Sequence, residues 1–150
     1  MRGLIIKTAR FYFKDRSKST RPEGIKDYQN FDHSAEEFRN VINIWVCIEK
    51  DDKEDYLEDL VGRVRELNEK FYQMKHIVLL PFGHLSRNLA PPKKARQFII
   101  NLSRLLQKSG FTVDTVTFGT HKDLVFEIPG QPAEVSYFEF PYSRQKPKVS

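Results

Sequence analysis

The chain has few of the residues that small proteins use as cross-links. Cys47 is the only cysteine among 150 residues, which excludes a disulfide framework and a thiolate metal cluster and fits a reducing compartment. Set inside the apolar run 41–48, it reads as a small buried hydrophobe. The four histidines include no His-x-x-x-His pair, so no metal site is expected. There is no Gly-x-Ser-x-Gly elbow and no glycine loop to cradle phosphate, which argues against a serine hydrolase and a nucleotide-driven enzyme and implies no cofactor. No apolar run approaches the length of a membrane span, and the start, 1–7, is too short for a signal peptide. A soluble, cytoplasmic protein with no membrane partner is expected.

What is present has the size of a single domain, long enough to bury a core unaided. The net charge of +5 with a pI near 9.3 favours a polyanionic partner, although twenty acidic residues are interspersed. Basic residues cluster at Arg10, Lys14, Arg16, Lys18 and Arg21, at Lys93, Lys94 and Arg96, and at Arg144, Lys146 and Lys148.

Patterning predicts the elements. Residues 4–13 read as a strand, 15–33 as a long polar loop, and 41–48 as a second strand alternating Ile42, Ile44, Val46 and Ile48. Ser34 to Glu37 has capping-box spacing, with room for at most one helical turn. Asp51 or Asp52 can cap a helix whose apolar positions are Leu57, Leu60, Val61, Val64, Leu67 and Phe71. A buried strand over 77–80 follows. Pro91 or Pro92 then starts a helix carrying Ala95, Phe98, Ile99, Leu102, Leu105 and Leu106, stopped by Gly110. Strands over 111–117, 124–128 and 134–140 complete the domain, with Pro129-Gly130 as a turn. The order β-β-α-β-α-β-β-β implies an α+β fold in which two helices pack on a mixed β-sheet. The expected boundaries are a domain over 1–140 and a basic tail or linker start over 141–150.

Chemistry concentrates in two segments. In 78–90, Val-Leu-Leu-Pro-Phe-Gly-His-Leu-Ser-Arg-Asn-Leu-Ala, a strand runs into a loop presenting His84 and Ser86. Further on, Phe118-Gly119-Thr120-His121-Lys122 follows another strand, and Pro132-Ala133-Glu134-Val135-Ser136 opens a third. Taken singly, His84 reads as a loop histidine, Lys122 as an edge lysine and Glu134 as a solvated carboxylate.

Together these segments resemble the archaeal editing domain of threonyl-tRNA synthetase, from Leu4 to about Ser136, with Pro-Phe-Gly-His-Leu-Ser as the sharpest piece. The resemblance implies a D-aminoacyl-tRNA deacylase-like fold. It places His84, Lys122 and Glu134 at the catalytic pocket, with the main chain around Ile44, Trp45, Pro81 and Phe82 holding the aminoacyl group. His121 stands where the family commonly has tyrosine, in contact with substrate. Lys93, Lys94 and Arg96 are the candidate contacts to the tRNA acceptor stem.

The activity so implied is proofreading hydrolysis of seryl-tRNA(Thr), in cis within a synthetase or in trans. Its partners are the threonine tRNA acceptor end, a threonyl-tRNA synthetase catalytic domain or chain, and a second copy in a homodimer. Two other readings remain open: a tRNA-binding module of the same fold with decayed catalysis, motivated by His121 and by the Lys7-Thr8-Ala9 segment, and a D-aminoacyl-tRNA deacylase. The characteristic motifs of the latter are not found in the sequence.

Overall fold

The computed structural model describes residues 1–141. The basic tail expected over 141–150, with Arg144, Lys146 and Lys148, falls outside the described residues except for Pro141. Six strands, β1 (Arg2–Lys18), β2 (Ala35–Cys47), β3 (His76–Pro81), β4 (Thr112–Thr115), β5 (Thr120–Glu127) and β6 (Val135–Glu139), and two helices, α1 (Asp55–Leu67) and α2 (Pro92–Lys108), follow the expected order.

The sheet runs β4-β3-β2-β1-β5, and β6 also pairs with β1. β2, β3 and β4 are parallel neighbours joined through α1 and α2. Two successive crossovers of the same hand, advancing in one direction across a sheet, put both helices on the same face. A single core cluster accordingly contains Leu57, Leu60 and Val64 of α1, Phe98, Leu102 and Leu106 of α2, and Ile5, Ile44 and Leu79 of the sheet. β3, covered on both sides, is a continuous apolar run as a buried parallel strand requires.

The other face has its own aromatic core around Phe11, Phe13, Val41, Val78 and Leu80, with Phe38, Trp45, Phe82 and Phe126 packed against it. Its existence reveals how strongly β1 coils. Trp45 lies beside Leu4 and Phe126 beside Phe11, positions that a straight strand would hold roughly 23 Å apart along its axis. Their ring centroids are nevertheless 4.9 Å apart. On β2 the coil is accommodated at Asn40, which takes φ 54°. Ile42 and Ile44 face the helices, whereas Phe38 and Val41 face the concave side, so the alternation inverts there. Asparagine is among the few residues that tolerate this backbone region.

Four expectations are corrected. β1 extends past residue 13 to Lys18, because pairing with β5 gives the charged segment 14–18 a ladder that its composition does not announce. Ser34–Glu37 forms no helical turn, since β2 begins at Ala35 and pairs with Lys14. Asp52 does not cap α1. Its carboxylate accepts from the Glu49 N–H at 2.6 Å and pairs with the Met1 α-amino group, while Glu54 precedes the helix without a side-chain cap. Phe71 is 52% exposed rather than part of the apolar stripe. A π-helical turn over Asn68–Tyr72 widens the last turn, so that the residue five beyond Leu67, Tyr72, faces the core.

The β1–β6 pair approaches closely at Gly3, where an added Cβ would lie 1.8 Å from the Trp45 carbonyl oxygen and 2.6 Å from the Phe138 ring. Gly3→Ala should therefore lower stability by on the order of 3 kcal/mol. Gly62, exposed within α1 and with nothing within 4 Å of such a Cβ, should gain about 0.5–1 kcal/mol on replacement by Ala. Chemical denaturation of the two variants checks both signs at once.

Candidate active site

The concave side opens at one end into a cavity of about 630 Å³, a size suited to a small-molecule group. Its floor comes from β2 and β3 (Val46, Cys47, Leu80, Pro81), one wall from the start of α2 (Pro92, Ala95, Ile99), and another from β5. The fourth side is the polar loop 19–34, which contributes Arg21, Pro22 and Ile25.

That loop is fastened to the β4–β5 turn by main-chain and side-chain amide bonds. Ser19 N–H donates to the Gly119 carbonyl at 2.9 Å, Asn30 N–H to Phe118 O at 3.0 Å, and Phe118 N–H to Asn30 Oδ1 at 2.7 Å. Gln29 Nε2 bridges Ser19 O and Gly119 O. Gly119 makes the contact possible, because it sits at φ 77° and a Cβ there would come within 2.7 Å of Gln29 and 2.9 Å of Ile25.

Lys122 and His84 converge on this cavity from different elements. The Lys122 side chain is only 9% exposed. Its Nζ donates to Thr120 Oγ1 at 2.6 Å and to Thr120 O at 3.2 Å, and lies 4.0 Å from Asp15 Oδ1. Burial lowers its pKa from the ordinary lysine value, and Asp15 opposes that shift. Two of the three N–H groups of the ammonium are thus engaged, and one is left for a ligand.

His84 lies in a short 3-10 turn, Gly83–Leu85, with its ring edge-on to Phe82 at 5.2 Å. The turn is held by Ser86, whose hydroxyl donates to Glu49 Oε2 at 2.6 Å. Ser86 therefore makes no nucleophile pair with His84. Glu49 also accepts from Arg2 at 3.1 Å and from the Met1 amino group at 3.0 Å. Burial raises its carboxyl pKa, but the bonds from Ser86, Arg2 and the Met1 amine prevail and hold it at about 2. Cys47, on the cavity floor, is buried and its thiol is pushed up to about 11, first by burial and then by Glu49, so it remains a protonated packing group.

The other expected residues divide. Pro81, Phe82 and His121 line the cavity. Ile44 and Trp45 do not: Ile44 is fully buried in the helix-side core, and Trp45 packs between Phe82 and Phe126. The chain that reaches the cavity is Val46 to Ile48, at and just beyond the end of β2. Glu134 also lies apart from it. That residue is buried near Tyr72, whose hydroxyl donates to Ala133 O at 2.7 Å and whose pKa is pushed up to about 12 by burial and by Glu134. Lys93 and Arg96 are exposed on the first turns of α2 beside the cavity wall. Lys94 is tied down, donating to Lys50 O at 2.7 Å and lying 5.3 Å above the Phe98 ring. Asp15, Thr117 and Thr120 were not anticipated as site residues. The only signal for Asp15 was an acidic residue among the five basic ones between Arg10 and Arg21.

Comparison with known proteins shows the family of the chain. A family model described as the archaea-specific editing domain of threonyl-tRNA synthetase matches residues 1–137. The chain belongs to that family. Among its relatives, the threonine–tRNA ligase of Nanoarchaeum equitans is 29% identical over 138 residues, covering 91% of this chain and 21% of that protein. The Thermococcus gammatolerans ligase is 31% identical over 141 residues, covering 91% of this chain and 22% of the other. The chain thus spans about a fifth of the length of these relatives. A solved structure, the c-Myc DNA Unwinding Element Binding Protein, superposes with a TM-score of 0.69 at 12% identity, over 95% of this chain and 100% of that one. That likeness concerns the fold alone, and the fold is the expected α+β arrangement of two helices packed on a mixed sheet. An editing domain of this family hydrolyses mischarged aminoacyl-tRNA, so this editing domain is an ester hydrolase engaged in proofreading. Among the described residues, no helix is long and apolar enough to cross a membrane.

The Glu49 cluster generates a test of how the His84 turn is held. In Ser86→Ala the Glu49 carboxyl should titrate higher than in the parent, moving from about 2 toward its ordinary value of 4.5, while Arg2 and the Met1 amine still hold it below that value. A carboxyl held low in the folded state adds stability that is present above the unfolded value and is lost as pH falls through the folded one. The variant should therefore unfold at a higher pH than the parent during acid titration, a shift readable by carboxyl NMR together with circular dichroism.

Proposed function

We propose that the cavity receives the aminoacylated terminal adenosine of threonine tRNA and that the ester hydrolysed there is seryl-tRNA(Thr). The observation that carries this reading is the convergence of Lys122 and His84 on one partly apolar cavity in a chain of the editing family. A missing methyl changes binding by only about 1–3 kcal/mol. A synthetase pocket that accepts threonine therefore charges serine as well, and a second site that admits serine and clashes with the threonine methyl completes the discrimination.

In the proposed step, a water oxygen bonds to the ester carbonyl carbon, the bond from that carbon to the ribose oxygen breaks, and the leaving oxygen takes a proton. The unengaged N–H of Lys122 stabilises the developing oxyanion, and His84, whose ring nitrogens can donate or accept, positions substrate or relays the proton. The ribose 2′-hydroxyl is available to assist. Glu134, away from the cavity, takes no part in this scheme. The proposal extends to a cytoplasmic setting, to action in cis with a catalytic domain or in trans on released tRNA, and to a homodimer. The last is motivated by exposed Val135 and Tyr137 on β6, and sedimentation checks it.

Incubation with serine-charged and threonine-charged threonine tRNA, following release of each amino acid, tests the reading. Serine should be released and threonine retained; release of neither would favour a binding module with decayed catalysis, and release of only D-amino acids a D-aminoacyl-tRNA deacylase. Lys122→Met should slow serine release by about 100–1000-fold with the fold intact, as loss of one oxyanion donor does. Double reversal of Lys93 and Arg96 to Glu should raise the tRNA concentration for half-maximal rate and leave the maximal rate little changed. It should also reduce the salt dependence of binding by about one unit of slope for each phosphate that is no longer neutralised.

A further inference from the structure

We propose that Asp15 is the positioning residue of this site: working through the hydroxyls of Thr117 and Thr120, it fixes the Lys122 ammonium at the cavity wall with one N–H directed to the substrate. Asp15 is 2% exposed and sits on the polar stretch of β1, opposite Lys122 in the β1–β5 register. The groups that reach its carboxylate are donors. Thr117 Oγ1 donates to Asp15 Oδ1 at 2.5 Å, Thr120 Oγ1 donates to the same oxygen at 2.8 Å, and Asp32 N–H donates to Oδ2 at 3.0 Å.

The direction of these bonds has a chemical consequence. A threonine hydroxyl has one proton and two lone pairs. With its proton committed to Asp15, Thr120 Oγ1 can only accept from Lys122, which it does at 2.6 Å. Thr120 is thereby turned from an ambiguous rotor into a fixed acceptor, and Lys122 is held by its side chain as well as its main chain. A β-bulge between Asp15 and Ser17 shifts the register at this place, and bulges re-aim side chains beside functional sites. Asp15 touches neither the cavity nor a reacting atom, so it acts through Lys122.

The other ionisable groups facing Lys122 are Arg21 from the 19–34 loop, His84 from the 3-10 turn and His121 from β5, all lining the same cavity. Asp123, the next residue along β5, is turned to Arg16 at 2.6 Å. Asp15 is therefore the carboxylate that counteracts the burial of Lys122.

The kinetic arm of the test rests on the deacylase reading, and the titration arm does not. In the intact chain carrying Asp15→Asn, the Lys122 amine, titrated by NMR of the labelled lysine Nζ, should deprotonate about one to three pH units lower than in the parent, the effect of removing an opposite charge at this range. The pH profile of the maximal rate of serine release should move by the same amount. An unmoved Lys122 titration sinks the proposal. A shifted titration in a chain that releases serine from no substrate upholds it and defeats the deacylase reading instead. Should Asp15→Asn not fold, Thr120→Val keeps the carboxylate and removes the link. The maximal rate should fall about 10–100-fold at unchanged half-saturating tRNA, with partial recovery in Thr120→Ser, and an unchanged rate in Thr120→Val overturns the proposal.

Discussion

The structure depends on one strand that serves three partners. β1 gives one edge to β2 along nearly its whole length, and divides the other between β6 over residues 2–6 and β5 over residues 10–18. Two strands can share an edge in this way only if the strand between them is long, and a long strand inherits the right-handed coil of its backbone. The coil folds the β5 end over the concave face. Without it Phe11, Phe38, Trp45 and Phe126 would be an exposed aromatic surface; with it they are a second core, their ring centroids 4.9 to 6.0 Å apart, Phe11 stacked on Phe38 and Phe126 and Trp45 tilted against Phe126. The close approach at Gly3 fastens the other half of the same strand.

The cavity is a by-product of that coil. It lies where the rolled end of β1 and β5 faces the amino end of α2, so its two sides belong to different cores and are held apart by both. Packing supplies the rigidity, and the polar groups sit where packing stops. A lysine placed there loses much of its hydration, which weakens its charged form, and a carboxylate within reach restores part of that stabilisation. The two charges, 4.0 Å apart, are bridged by the Thr120 hydroxyl, while Thr117 donates to Asp15 alone, leaving the ammonium partly unsatisfied. A buried cation with an unfilled donor is poorly explained as a stabilising feature and well explained as a binding one.

The likeness to a DNA unwinding element binding protein illustrates what architecture does not settle. At 12% identity the two chains share a fold, and a shared fold carries many activities. The family match is what separates an ester hydrolase from a nucleic-acid binder of the same shape. The mild positive charge is compatible with both.

Much was legible in the sequence because local periodicity reflects burial directly. The stripes of α1 and α2, the alternation on β2, the apolar run of β3 and the left-handed Gly110 each follow from a face buried or a turn demanded, and His84 and Lys122 stood out by motif. What the tertiary structure decided came from long-range partners. β1 continues through Lys14-Asp15-Arg16-Ser17-Lys18 because β5 is there to pair with it, Phe71 faces water because a π-turn rotates the end of α1, and Asp52 serves the Met1 amine instead of a helix. Glu134 has the right local setting but lies away from the cavity, and the one local signal for Asp15, an acid among basic residues, does not announce burial, since a charged residue in a charged segment looks solvated. Periodicity records which side of a segment is buried. It cannot record which charge, brought from a hundred residues away, will be buried beside it.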